Sequence, residues 1–158
     1  MTTPQQLSKH FKDVFFGGNW TAVNLKDTLE GITWQQATTK VHNLNTIAVL
    51  VFHINYYIDA VLKVLQGEPL NASDKYSFGL QPITSGEDWR KLVNKTFEQA
   101  ELFADRIEGL DDKKLFEDFA DPKYGNYFRN LAGIIEHTHY HLGQIVLLKK
   151  ILYESQDQ

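Results

Sequence analysis

Three of the six histidines stand in one run, EHTHYHLGQI, at His137, His139 and His141. On a helix, positions i and i+4 differ by about 40° in azimuth and i and i+2 by about 200°. His137 and His141 therefore share a face, and His139 points the other way. The shared face also carries Asn130, Ile134, Gln144, Ile145 and Leu148, which marks it as the core-facing stripe. Two imidazoles one turn apart can grip one metal ion, as i, i+4 histidines do in zinc-binding helices. An ion needs a further ligand from another helix. His53 is the other histidine on an apolar stripe, with Val49 and Leu50 before it and Tyr57 and Ala60 after it. Three imidazoles with open positions form a reactive rather than a structural metal centre, because water or substrate can take the free positions. The competing use of each is a hydrogen-bonded core histidine, since buried polar groups need partners.

Two more residues belong to this constellation. Gln144 lies one turn beyond His141 on the same face, where it can support the ligands from behind. Tyr57 shares the face of His53, where it can either pack in the core or donate a hydrogen bond to a molecule on the ion. His10 and His42 sit near helix ends among polar residues and read as surface positions.

Other chemistries find less support. Glu136 and His139 make one Glu-x-x-His motif of the diiron bundle type, but no second copy exists. Asp59 lies off the His53 stripe, and Glu98 and Glu101 lie off the Trp89 stripe. There is no glycine-rich phosphate loop and no serine in a nucleophile elbow. The chain has no cysteine, which excludes disulfides, thiolate metal sites and cysteine nucleophiles. A net charge of −4 with scattered Lys and Arg argues against nucleic acid as a partner. Met1 to Lys12 lacks the charged head and apolar run of a leader, and the apolar stretch Thr46 to His53 is too short to span a bilayer. The expected setting is the cytoplasm, with no membrane partner. The Asn-x-Ser/Thr matches at Asn19, Asn71 and Asn94 then carry no meaning.

The elements that must hold these residues are helical. At 158 residues the chain suits one domain, 1–158. Pro4 can open a helix on which Leu7, Phe11, Val14 and Phe15 recur, and Gly17–Gly18 closes it. A connector from Asn19 to Asn43 has room for two short helices, with Asn24 and Thr33 as N-caps and Thr33 with Gln36 as a capping box. A second long helix runs from near Asn45 to Gln66, closed by Gly67 and Pro69. Residues 68–83 read as loop. A third helix follows Ser85 and buries Trp89, Leu92, Val93, Thr96, Ala100, Phe103, Ala104 and Ile107. After a connector at 109–125, a fourth runs from about Asn126 to Tyr153. Four long amphipathic helices joined this way predict an all-α four-helix bundle. Ile135, His139, Leu142 and Val146 form a second apolar stripe on the last helix, from which a homodimer contact is expected.

The motif H-x-x-x-H-x-G-Q, here His137, His141, Gly143 and Gln144, together with His53 in VFHINYY and the segment NWTAVNLKDTLEGITWQQA, resembles the DinB-like (YfiT-like) superfamily of metal-dependent bundle proteins. The resemblance covers nearly the whole chain. It implies an up-down-down-up bundle, often dimeric, with a divalent ion, nickel or zinc, on His53, His137 and His141. It also implies chemistry on a small-molecule substrate that uses a low-molecular-weight thiol, most often S-transfer, with metal-dependent hydrolysis and a non-catalytic bundle as alternatives. Recognition of such a thiol would draw on cations, for which Lys40, Arg90 and Arg129 are the candidates. Many relatives carry Arg where this chain has Leu142. That position faces away from the ligand stripe, so the change is expected to alter a surface or an interface.

Overall fold

A computed structural model describes residues 1–154 of the chain. The first helix begins where its cap dictates. Thr2 Oγ1 accepts from the Gln5 backbone N–H, and Gln5 Oε1 accepts from the Thr2 N–H, with Pro4 in the first turn. This helix, α1 (Thr3–Phe16), ends at Gly17, whose φ of 109° suits a residue without Cβ. The connector holds the two short helices that its caps announce. Asn24 opens α2 (Leu25–Leu29), and the Thr33–Gln36 capping box opens α3 (Trp34–Thr38).

Three longer helices follow. Thr46 caps α4 (Ile47–Leu65). The segment read as loop contains a single helical turn, α5 (Asp74–Ser77). Ser85 caps α6 (Gly86–Glu108) through the Asp88 N–H. Two 3-10 turns, Asp112–Phe116 and Pro122–Tyr124, lead to α7 (Tyr127–Glu154), which the Asn126 side chain caps by accepting from the Arg129 N–H at 2.9 Å. The described residues contain helices and turns but no strand, only an isolated bridge between Asp118 and Asn126.

The four long helices pack in neighbouring pairs: α1 on α6 and α7, and α4 on α6 and α7. Phe11 meets Phe103 with ring centroids 4.8 Å apart, and Phe15 meets Phe97 at 6.4 Å. Ser8 Oγ donates to the Ala104 carbonyl at 2.8 Å between the same two helices. Phe11, Phe15, Ile54, Ile58, Phe103 and Ile145 are fully enclosed. Each such side chain contributes about 1.5–3 kcal/mol of burial energy.

The second stripe of the last helix has a different role from the one its apolar character suggests. Ile135 and Leu142 are buried inside the single chain, 4 % and 2 % exposed, and the His139 ring lies 6.3 Å from that of His10 on α1. The stripe therefore does not call for a second subunit. Leu142 is a core residue, not a surface or interface one, because α7 packs on α1 as well as on α4. α4 is long and apolar enough to cross a membrane by length and composition, but 67 % of its most apolar stretch is buried within the protein.

Candidate metal centre

His53 sits midway along α4, and His137 and His141 lie one turn apart on α7, the helix packed beside it. Their Nε2 atoms converge. His53 Nε2 lies 3.0 Å from His137 Nε2, which lies 3.1 Å from His141 Nε2. His53 and His141 are 5 % and 6 % exposed. His139, as its azimuth requires, is not part of the group.

The outer nitrogens fix which way the inner ones face. His53 Nδ1 lies 3.2 Å from the Ser77 carbonyl, and His141 Nδ1 lies 2.7 Å from Gln144 Oε1. Both partners are acceptors, so both Nδ1 atoms carry the proton and donate it. The Nε2 atoms of His53 and His141 are then bare lone pairs aimed at His137. One proton on His137 Nε2 can serve only one of them. At least one close nitrogen pair is therefore left without a hydrogen bond, while the lone pairs of His53 and His141 converge on the same point, an arrangement that a cation relieves. The spacing suits ligands that stand roughly 2.0–2.1 Å from one shared ion. His137 Nδ1 is buried without a hydrogen-bond partner, so no hydrogen bond behind this ring fixes its tautomer. Among the described residues, these three are a group that can hold a metal ion.

Electrostatics keep the donors neutral. Burial lowers the pKa of all three imidazoles. His137 falls to about 4, through burial first and then the nearby charges of His141 and His53, with Asp74 opposing. At neutral pH all three rings are therefore neutral imidazoles.

The centre forms part of the wall of a cavity of about 880 Å³, a size suited to small molecules. Tyr57 also lines it. Its hydroxyl donates to Asp74 Oδ1, the first residue of α5, rather than to the histidines. Burial, followed by that hydrogen bond, raises the Tyr57 pKa. Phe78 stacks on His53 with ring centroids 3.9 Å apart, and Tyr140 packs edge-on to His141 at 4.9 Å. Of the three candidate cations, Arg129 lines the cavity, and Lys40 and Arg90 do not.

Asp74, Ser77 and Phe78 escaped the sequence reading. Asp74 and Ser77 lie in a single helical turn and Phe78 directly follows it; the N-cap, Ser73, makes no side-chain cap bond, so neither period nor capping motif announces the turn. Ser77 acts through its backbone carbonyl, which residue type does not reveal.

No curated protein and no solved structure matches the chain significantly. The sequence pattern of the DinB superfamily matches residues 19–145, a span that runs from the connector through α4 to both histidines of α7 and Gln144. That span covers most of the chain, and the protein belongs to the DinB superfamily.

Proposed function

We propose that the chain is a metal-dependent enzyme holding one divalent ion, zinc or nickel, on His53, His137 and His141, and that it transfers a thiol to a small-molecule substrate. The observation that carries this is the convergence of three imidazole Nε2 atoms on the wall of an open cavity rather than inside a closed core. A structural site is closed by its ligands, whereas here the three histidines face the cavity.

A divalent ion at this position supplies Lewis acidity that favours the deprotonated form of a thiol or water reaching it. The chain's residues supply the rest. The Ser77 carbonyl and Gln144 Oε1 orient His53 and His141 and raise their donor strength. Phe78 and Tyr140 shield the rings on either side. The Tyr57–Asp74 pair places a proton acceptor, the Asp74 carboxylate, on the wall of the same cavity.

The proposal extends to the topology, an up-down-down-up four-helix bundle. Supporting it, Thr3 bonds Asp112 while Phe15 meets Phe97, so α1 and α6 run in opposite directions. Ala60 and Val61 near the end of α4 share the cavity wall with Asn130 and Ile134 near the start of α7, so these two also oppose.

Elemental analysis of untagged protein purified without chelator, beside His141→Ala, tests the centre. About one nickel or zinc ion per chain, lost in the variant, is the expected result. No metal, with none taken up on titration, reduces the histidines to core residues and ends the proposal. With metal present, a screen of thiols against electrophilic acceptors tests the transfer.

A further inference from the structure

Eight residues before His137, the same wall of the cavity carries a cation with nothing to neutralise it. Arg129 lines the cavity and takes part in no ion pair among the described residues. Its side chain is held in place all the same. Nη1 donates to the Tyr124 carbonyl at 2.8 Å, and the stem lies over Gly125, where an added Cβ would come within 3.0 Å of Arg129 Cδ. Gly125 also adopts a φ of +79°. Asn130 Nδ2 donates to that same carbonyl at 3.0 Å. A guanidinium anchored by a neutral carbonyl keeps its charge and its remaining N–H groups for something else. The cavity's two carboxylates belong to the other end: Asp74 accepts from Tyr57, and Glu136 adjoins His137.

Between the two ends lies Gly133. It occupies the interior of α7, where glycine is unfavourable by about 1 kcal/mol relative to alanine. No positive φ requires it, and an added Cβ would meet nothing within 4 Å. Packing does not explain the glycine. Its effect is a bare floor on the cavity between Arg129 and His137, beside the apolar walls of Phe119 and Ile134.

We infer that this cavity binds an elongated small molecule by its carboxylate, which Arg129 receives, with an apolar body lying across Gly133 and the opposite end at the three histidines. The last clause rests on the metal reading; the anion site does not. Eight residues of helix span about 12 Å, the length of an extended chain of roughly eight to ten carbons.

The probe is mercaptooctanoate with its thiol at the chain end, compared with the neutral mercaptooctanol of equal length, by calorimetry on metal-free and zinc-loaded protein. The acid should bind roughly 10–100-fold more tightly than the alcohol in both forms, the range of a charge-assisted hydrogen bond. Arg129→Gln should erase that preference, and Gly133→Leu should weaken both probes, each with zinc content unchanged. Equal binding of acid and alcohol by the unmodified protein, or an acid preference that survives Arg129→Gln, overturns the anion site whatever the metal does. Equal binding by Gly133→Leu overturns the path across the floor. A preference that depends on Arg129, with zinc adding no affinity, upholds the anion site and overturns only the placement of the opposite end at the histidines; a protein that takes up no zinc overturns the metal reading and leaves the anion site standing.

Discussion

His53 and His137 are separated by 84 positions in the chain, yet their Nε2 atoms lie 3.0 Å apart. Both rings are packed against neighbouring groups. His53 is held by the Ser77 carbonyl behind it and by Phe78 stacked on its face. His137 is boxed in by Tyr57, with ring centroids 5.1 Å apart, and by His141 at 4.5 Å. The protein thus holds three donor atoms so close together that one proton can bridge only one of the two close pairs, whereas a cation can take all three lone pairs.

The first prediction concerns that cation. Zinc should raise the melting temperature of the protein, since a ligand at 100 times its Kd stabilises the folded state by about 2.7 kcal/mol. His53→Ala should abolish the shift, as should His141→Ala, and both variants should still fold. A zinc-dependent shift that persists in both, measured by differential scanning fluorimetry, would place the ion elsewhere.

Gln144 offers a subtler test, because it touches His141 and not the ion. Its Oε1 accepts the Nδ1–H of His141 at 2.7 Å and so fixes that ring's tautomer and orientation. Gln144→Leu should weaken zinc affinity by roughly 10–100-fold, the usual effect of removing a partner behind a ligand. Gln144→Glu should retain most of the affinity, since a carboxylate accepts the same bond. Competition with a chromophoric chelator reads both constants. Equal affinity in all three proteins would show that His141 needs no support.

The metal-free protein should be sensitive to acid. His137 has a pKa of about 4 in the folded state, through burial and the charges of His141 and His53, against 6.5 in the absence of those surroundings. Burial lowers His53 and His141 in the same direction. Between these values the unfolded chain binds more protons than the folded one, so stability is lost as pH falls from about 6.5 towards about 4. Carboxylates add to the slope at the lower end, so the useful comparison is His137→Leu, which should flatten it. Urea melts of both proteins across this range supply the measurement. Parallel slopes would mean that His137 protonates freely in the fold.

The three histidines were legible because a period of 3.6 places His137 and His141 on one face and rejects His139. The Asn24 cap and the Thr33–Gln36 capping box were legible for a related reason: local hydrogen bonds depend on local sequence. What eluded the sequence depends on tertiary placement. The period put Leu142 opposite the ligands, correctly, but what covers that side is decided by α1 packing on α7. Lys40, Arg90 and Arg129 look alike as charges. Only the path of the connector over Gly125 selects Arg129 for the cavity wall. α5 and the residue that ends it supply Ser77 and Phe78 to His53 from a single turn, too short for any period to register.

Fold and site should be separable by mutation, because they draw on different helix pairs. Phe103 is fully buried on α6 and packs against Phe11 of α1. The histidines lie between α4 and α7. Phe103→Ala should cost about 3–5 kcal/mol, through lost burial and the cavity left behind. For a domain of this size that is a large part of the total stability. Well below its lowered melting temperature, the variant should still bind zinc with near-normal stoichiometry, because the Phe103 ring packs on Phe11 of α1 whereas the ligands come from α4 and α7. His141→Ala should show the opposite pattern, with a folded chain and no metal. Denaturant titration and metal analysis on the same two samples make the comparison. If Phe103→Ala lost its zinc while still folded, the position of α7 against α4 would depend on the aromatic contact between α1 and α6, and the centre would be assembled by the whole bundle rather than by two helices.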